Sequence, residues 1–207
     1  ESWIQDTIDI IAIKMMQKFN TQKAWIFNTI QLYRYDKLDY LKDLIIKARE
    51  GNFFLGIKLV RGAYHKQEIK RAIEKGYRIP VHTKKENTDK DYNIALTECI
   101  KNINIISVCS GTHNEDSSTL LINLLEEHNI SKNDTRIYFS QLLGMSDHIS
   151  YNVAKLGFNV VKYVPYGPIK ELLPYLIRRA EENTSIAGQM NRELSNIIAE
   201  KKRRKES

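Results

Sequence analysis

Cysteine is nearly missing from this chain, and its two residues, Cys99 and Cys109, match no metal-ligand spacing. That argues against a thiolate metal site, and reduced thiols inside a cell are the simpler expectation. Long apolar runs are missing too. None reaches the length that spans a bilayer, and no signal-peptide core opens the sequence. No apolar strand is followed by GxGxxG, so the dinucleotide fingerprint of a Rossmann unit is absent. A surface of one sign is also lacking, despite a net charge of +7. Lys201, Lys202, Arg203, Arg204 and Lys205 lie together near the C-terminal end, and setting these five aside leaves +2. A broadly basic nucleic-acid-binding face is therefore not expected, and residues 201–207 read as a solvated basic tail.

What is present is an ordinary globular composition, 42% hydrophobic and 28% charged over 207 residues. Residues 2–19 place Ile4, Ile8, Ile11, Ala12, Met15 and Phe19 on one helical stripe. A short apolar run at 24–27 reads as a buried strand, and 54–60 as a second. Further strands are expected at 104–108, 136–139 and 160–164. Helical stretches lie between them: 35–48, a segment ending at Gly76, 89–100, 117–127 and 147–155. Two closing helices are expected at 169–182 and 187–201.

Alternating apolar strands and amphipathic helices imply βαβ units and a parallel sheet, an α/β fold. With no Rossmann turn, a (β/α)8 barrel is the natural architecture. Such a barrel closes with eight strands, of which only about five are visible here. An open parallel sheet of that size exposes its edges. The expectation is a partial barrel over 1–200, with about three leading strands missing.

Barrel enzymes carry their chemistry where strands end. Lys58 interrupts an apolar strand: facing inward it needs an anion or polar cofactor, and at the strand's exposed end it needs nothing. Spacing alone leaves both readings open. Tyr175, Arg178, Arg179 and Glu182 share one helix face. Such a face is usually a solvated salt-bridged surface, but two guanidiniums also match a carboxylate. His113, between Thr112 and Asn114, suits either a phosphate or ribose contact or a local capping role. Thr83, Lys84 and Lys85, followed by Asn87, Thr88 and Asp89, precede a helix start, where an anion can bind, although such residues are ordinary caps and the feature alone is weak.

Six segments taken in order resemble the proline dehydrogenase family. They are Gly56-Ile57-Lys58-Leu59-Val60-Arg61-Gly62-Ala63-Tyr64, the stretch from Pro80 to Asp89, Thr112-His113-Asn114, Gln141 to Met145, Tyr163 to Gly167, and Tyr175-Leu176-Ile177-Arg178-Arg179. The resemblance implies a distorted (β/α)8 TIM-type barrel holding FAD at the carboxyl ends of its strands. It implies oxidation of L-proline to pyrroline-5-carboxylate, the first step of proline catabolism, by hydride transfer to the flavin. Arg178 and Arg179 would bind the substrate carboxylate, with Tyr163, Tyr175, Tyr64, Ala63 and Leu142 around the ring. Gln31, Lys58, Arg61, Gly62, Ala63, Thr83, Lys85, Thr112, His113, Asn114 and Glu182 would hold or support the flavin. Lys58, Arg178 and Arg179 would be the catalytic residues, and no metal is expected.

The resemblance further implies a quinone acceptor and contact with a membrane surface. That surface would be the bacterial inner membrane approached from the cytoplasm, or the matrix side of a mitochondrion. The family also uses a lysine and an aspartate from early strands, which this sequence does not contain, so the fragment is expected to need an N-terminal half. No aldehyde dehydrogenase module follows, which suggests a monofunctional enzyme. Two other readings stand beside this one. A lysine-dependent aldolase barrel would use Lys58 as a Schiff base, and a non-catalytic binding module would use the basic tail on nucleic acid. Each ignores most of the six segments.

Overall fold

Helix and strand alternate through the computed structural model, which describes residues 2–184, 198 and 201–204. The order is α1 (Ser2–Phe19), β1 (Phe27–Gln31), α2 (Lys37–Glu50), β2 (Leu55–Val60), α3 (His65–Lys75), α4 (Lys85–Lys101), β3 (Ile106–Gly111), α5 (Glu115–Glu127), β4 (Ile137–Leu142), α6 (Asp147–Lys155), β5 (Val160–Tyr163) and α7 (Ile169–Thr184). The strands form one sheet in the order β1-β2-β3-β4-β5, every neighbour parallel. A doubly wound sheet reverses direction and puts its first strand inside. A strictly sequential order is that of a (β/α)8 TIM-type barrel, of which these are five strands.

The sheet has two unlike faces. On one, Ile30, Ile57, Leu59, Ile106, Val108, Ile137 and Phe139 are buried in a core shared with Leu44, Tyr92, Leu96, Leu121 and Leu125 from the helices. On the other, Thr29, Lys58, Cys109 and Tyr138 lie level across four strands, each only partly buried. Gly111, Ser140 and Val161 make the next row, and Leu142 pairs with Tyr163 beyond it.

Two expectations shift. The strand expected at 24–27 begins instead at Phe27 and runs through Asn28, Thr29, Ile30 and Gln31. The apolar run turns outward at Trp25, whereas the true strand alternates a helix-facing side with a polar open side. Its entry is fixed by the buried Asn20. That amide oxygen accepts from the Trp25 and Ile26 amides, and its NH2 donates to the carbonyls of Ile26 and Phe54.

The apolar stripe of α1 is the second shift. Ile4, Ile8, Ile11, Met15 and Phe19 are exposed, while Gln5, Asp9 and Met16 turn inward. The polar side is buried because it is paired. Asp9 accepts from Lys37 Nζ at 2.6 Å, Asn28 Nδ2 at 2.7 Å and Gln5 Nε2 at 2.8 Å. A buried charge is tolerated when its lone pairs are met in this way.

The contacts divide the chain into two units, Glu1–Val164 and Pro165–Ser207. The first holds the sheet. The second holds α7, with Pro174 inside it. The helix expected at 187–201 lies mostly outside the described residues.

Candidate active site

Arg61 closes the end of β2 against the helices. Its Nε donates to Asp89 Oδ1, NH1 donates to Thr112 Oγ1 at 2.7 Å, and NH2 donates to Ser117 Oγ at 2.9 Å. The guanidinium also lies 4.4 Å from the centre of the Tyr92 ring. Five donors in a rigid fork suit such a junction, and a lysine here would lose most of it. Burial would raise the Asp89 pKa, but hydrogen bonds from Lys85 and Arg61 and their charges outweigh it and hold the carboxyl below 3.8. Lys85 therefore reaches Asp89 at 2.5 Å from the first turn of α4, while Thr83 ahead of it is exposed. Asn114 caps α5 by accepting from the Ser117 amide at 2.8 Å.

Lys58 lies in the middle of the open row and not at the strand's end. Its Nζ is 5.6 Å from the centre of the Tyr163 ring, and among the described residues no carboxylate is paired with it. Beside it, burial raises the Cys109 thiol pKa, while a hydrogen bond with Ser140 and the charge of Lys58 pull the other way. Both cysteines are free thiols.

The loop after β2 is held from β1. Tyr33 donates its amide to the Arg61 carbonyl at 2.6 Å, and its hydroxyl reaches Glu68 Oε1 at 3.4 Å. A Cβ on Gly62 would lie 2.4 Å from the Tyr33 ring, and its φ of +125° is a conformation L residues rarely adopt. Ala63 and Tyr64 follow, both partly buried. Gln31, the last residue of β1, donates through Nε2 to Gln5 Oε1 at 3.2 Å, so its side chain is steered by α1.

The ends of β3 and β4 meet at His113. Its Nδ1 is 3.0 Å from Ser146 Oγ. Burial, aided by the charge of Lys162, pushes its pKa down to about 4, so the ring is neutral at physiological pH. Ser146 has φ 52°, a left-handed conformation costing a non-glycine residue roughly 1–2 kcal/mol. Lys162 braces the same loop, donating to the Met145 carbonyl at 3.0 Å and to Asp147 Oδ1 at 2.7 Å. Buried Gln141 donates to the Thr112 carbonyl at 3.3 Å and accepts from Ser150 Oγ at 3.0 Å. Leu142 is buried and Tyr163 is half exposed.

In the second unit, the Arg179 guanidinium lies 5.1 Å from the Tyr175 ring centre, on the same face of α7. The side chains of Arg178 and Glu182 lie outside the described residues.

The family model for proline dehydrogenase matches residues 1–192. The chain belongs to the proline dehydrogenase family. It is 37% identical to proline dehydrogenase 1, mitochondrial, of Drosophila melanogaster, covering 99% of this chain and 31% of that protein. It is 42% identical to proline dehydrogenase 1, mitochondrial, of Homo sapiens, covering 93% of this chain and 33% of the other. Among solved structures, proline utilization A from Bdellovibrio bacteriovorus, inactivated by N-propargylglycine, superposes with a TM-score of 0.79. That likeness is at 27% identity and covers 86% of this chain and 18% of the other. The chain thus spans about a third of the length of the curated relatives it matches.

In this chain the first unit holds Lys58, Arg61, Gly62, Thr112, His113, Leu142 and Tyr163 at strand ends or along one sheet face. Sequence reading did not pair Asp89 with Arg61, and it missed Ser117 and Tyr92 around Arg61 and Ser146 and Lys162 beside His113. Their partners lie 28, 51 and 56 residues apart for the Arg61 bonds to Asp89, Thr112 and Ser117, and no local pattern signals such pairs. Gln5 was missed for the same reason, across 26 residues.

Proposed function

We propose that this chain forms part of the flavin site of an enzyme that oxidises L-proline to pyrroline-5-carboxylate with FAD. The observation that carries the reading is the open sheet face, where Lys58 stands in a polar, half-buried row with no carboxylate paired to it among the described residues. A cation left so suits an electron-rich cofactor that gains negative charge on reduction. The residues around it fit a flavin: hydroxyl, amide and imidazole groups at the strand ends, with glycines at 62 and 111.

When bound, FAD supplies a two-electron acceptor for the hydride on the ring carbon next to nitrogen, while the amine proton leaves and a C=N bond forms. The chain's own residues supply position and charge. In this reading Lys58 favours the reduced, anionic state. Gln31, Arg61, Gly62, Thr83, Lys85, Thr112, His113, Asn114 and Glu182 hold the cofactor or brace the groups that do. Arg61 and Asn114 act by bracing, since their polar atoms engage the protein's own loops and helices.

Arg178 and Arg179 are assigned the substrate carboxylate, which a pair of guanidiniums matches with charge-assisted hydrogen bonds. Fixing a small rigid amino acid by that group aligns its reacting carbon, where proximity contributes most. Ala63, Tyr64, Leu142, Tyr163 and Tyr175 are assigned the walls around the ring. A barrel closes with eight strands, so we assign the remaining strands to a segment outside this sequence. Residues 1–200 are the barrel segment in this reading, and 201–207 a basic tail. A quinone at a membrane surface is the electron acceptor, on the matrix side of a mitochondrion if the source is eukaryotic, in keeping with the names of relatives.

The test is the visible spectrum of the full-length protein with copurifying polypeptides retained, followed by anaerobic L-proline. A flavin band that bleaches on addition is the expected result. No band and no bleaching, even after FAD is supplied, sinks the assignment. Arg178→Ala and Arg179→Ala should each raise the KM for proline on the order of 10- to 100-fold while flavin stays bound. A normal KM in both removes the carboxylate role.

A further inference from the structure

Gln5 is buried in α1, only 6% exposed, and a buried amide is costly unless its hydrogen bonds are made. Both of its ends are used. Its nitrogen donates to Asp9 Oδ1 at 2.8 Å, one turn further along the same helix. Its oxygen accepts from Nε2 of Gln31, the last residue of β1, at 3.2 Å. A line of side chains thus runs from the buried ion pair of Asp9 and Lys37 to the end of a strand.

That line has a direction. Which end of an amide faces which neighbour is decided by the network it joins. Asp9 is paired with Lys37 Nζ at 2.6 Å and also accepts from Asn28 Nδ2 at 2.7 Å. A carboxylate offers acceptors alone, so Gln5 turns its nitrogen to Asp9. The Gln5 oxygen then faces Gln31, and only the nitrogen of that second amide can meet it. Turned over, Gln31 would set oxygen against oxygen. Its own oxygen is the end left over, and among the described residues no hydrogen bond reaches it. Gln31 is partly buried on the open sheet face, where it pairs with Val60, two residues past the pair of Thr29 and Lys58.

We infer that Gln5 is a positioning residue that fixes the Gln31 amide, so that Gln31 meets the cofactor with its oxygen, as an acceptor for an N–H group. The inference rests on the assignment of Gln31 to the flavin site. The polar edge of a flavin ring carries N–H and carbonyl groups side by side, one a donor and the other an acceptor. An amide free to turn over would satisfy either, whereas an amide held by Gln5 selects the donor. Because Asp9 and Lys37 anchor the line from within the protein, the choice is in place before the cofactor arrives, and less ordering accompanies binding.

The experiment uses the full-length protein and titrates FAD by the quenching of its fluorescence, with the melting temperature of the FAD-free protein measured alongside. The variants are Gln5→Met, Gln31→Met, the two combined, and Gln5→Lys, which can donate to Asp9 but cannot accept from Gln31. Gln31→Met should weaken FAD binding about tenfold, and Gln5→Met and Gln5→Lys each about five- to tenfold. The combined variant should bind no more weakly than Gln31→Met, because Gln5 acts through Gln31. A general loosening of α1 would persist in that background, so the cycle separates positioning from loss of structure whatever the melting temperatures do. Unchanged affinity in both Gln5 variants, or a combined variant weaker than Gln31→Met by the full Gln5 factor, overturns the inference. Unchanged affinity in Gln31→Met, or a wild type that binds no FAD, sinks the assignment of Gln31 to the flavin and takes the inference with it.

Discussion

The two faces of the sheet differ by one residue of register. Ile57 and Leu59 enter a sealed apolar core, while Lys58 between them stands in a polar, partly open row. The same alternation sets Val108 against Cys109 and Ile137 against Tyr138. A parallel sheet buried on both faces reads as continuous apolar strands. Polar residues at alternate positions therefore mark a face that the helices of this chain do not cover. In the proposed reading, one face of the same five strands serves stability and the other the cofactor.

That contrast can be broken by substitutions of graded effect. The largest is expected from Ile57→Ala, which opens a cavity under the helices and should cost about 2–5 kcal/mol in urea unfolding. A cost as small as that of an open-face change would erase the difference between the faces. Next is Asp89→Asn, which breaks the junction around Arg61 and should cost about 1–2 kcal/mol at neutral pH, solvent access being allowed for. The folded carboxyl titrates below its ordinary value, so its contribution is full above the unfolded pKa and is lost as pH falls through the folded one. The gap between wild type and variant should therefore close in acid, and a gap independent of pH would remove the ionic explanation.

An effect confined to acid belongs to His113, whose folded pKa of about 4 lies below its ordinary 6.5. Between those values the unfolded chain binds a proton that the folded chain refuses, so stability should fall as pH drops through that window. His113→Gln should flatten that slope in thermal unfolding between these pH values. The smallest effect on stability, within about 0.5 kcal/mol, is expected from Lys58→Met on the open face. The same variant should bind flavin markedly less well. Loss of stability without loss of flavin would reverse the roles assigned to the two faces.

Strand and helix order was legible because apolar runs and amphipathic stretches alternate, with two helices in succession only between β2 and β3. The α6 helix matched its expected bounds, since Gly144 ahead and Gly157 behind punctuate it. β1 was misplaced because Asn28, Thr29 and Gln31 make it look unlike a buried strand, whereas Trp25 and Phe27 look like one and are exposed. The stripe on α1 was visible, but its direction was not. Asp9, Lys37, Asn28 and Gln5 satisfy one another only once the chain has folded, and that mutual pairing is what makes a polar face the buried one. For the site, Lys58 left two readings open in the sequence, and register resolves its place within the strand. The pairing of Arg61 had no signal, although Asp89 and Thr112 lay in segments already singled out, because its partners come from α4, the β3 end and α5.

Gly62 carries a lesson about inheritance. Its neighbour across the loop is the Tyr33 ring, which fills the space a side chain would need, and its backbone angle excludes most replacements anyway. A lineage that kept this loop would have to keep the glycine even if nothing ever bound against it. Changing Tyr33 to a smaller residue would vacate the space without relieving the angle, so the two positions constrain each other in one direction only. Invariance at residue 62 among descendants would thus record the geometry of an ancestor's loop, and would count poorly as testimony about its ligand.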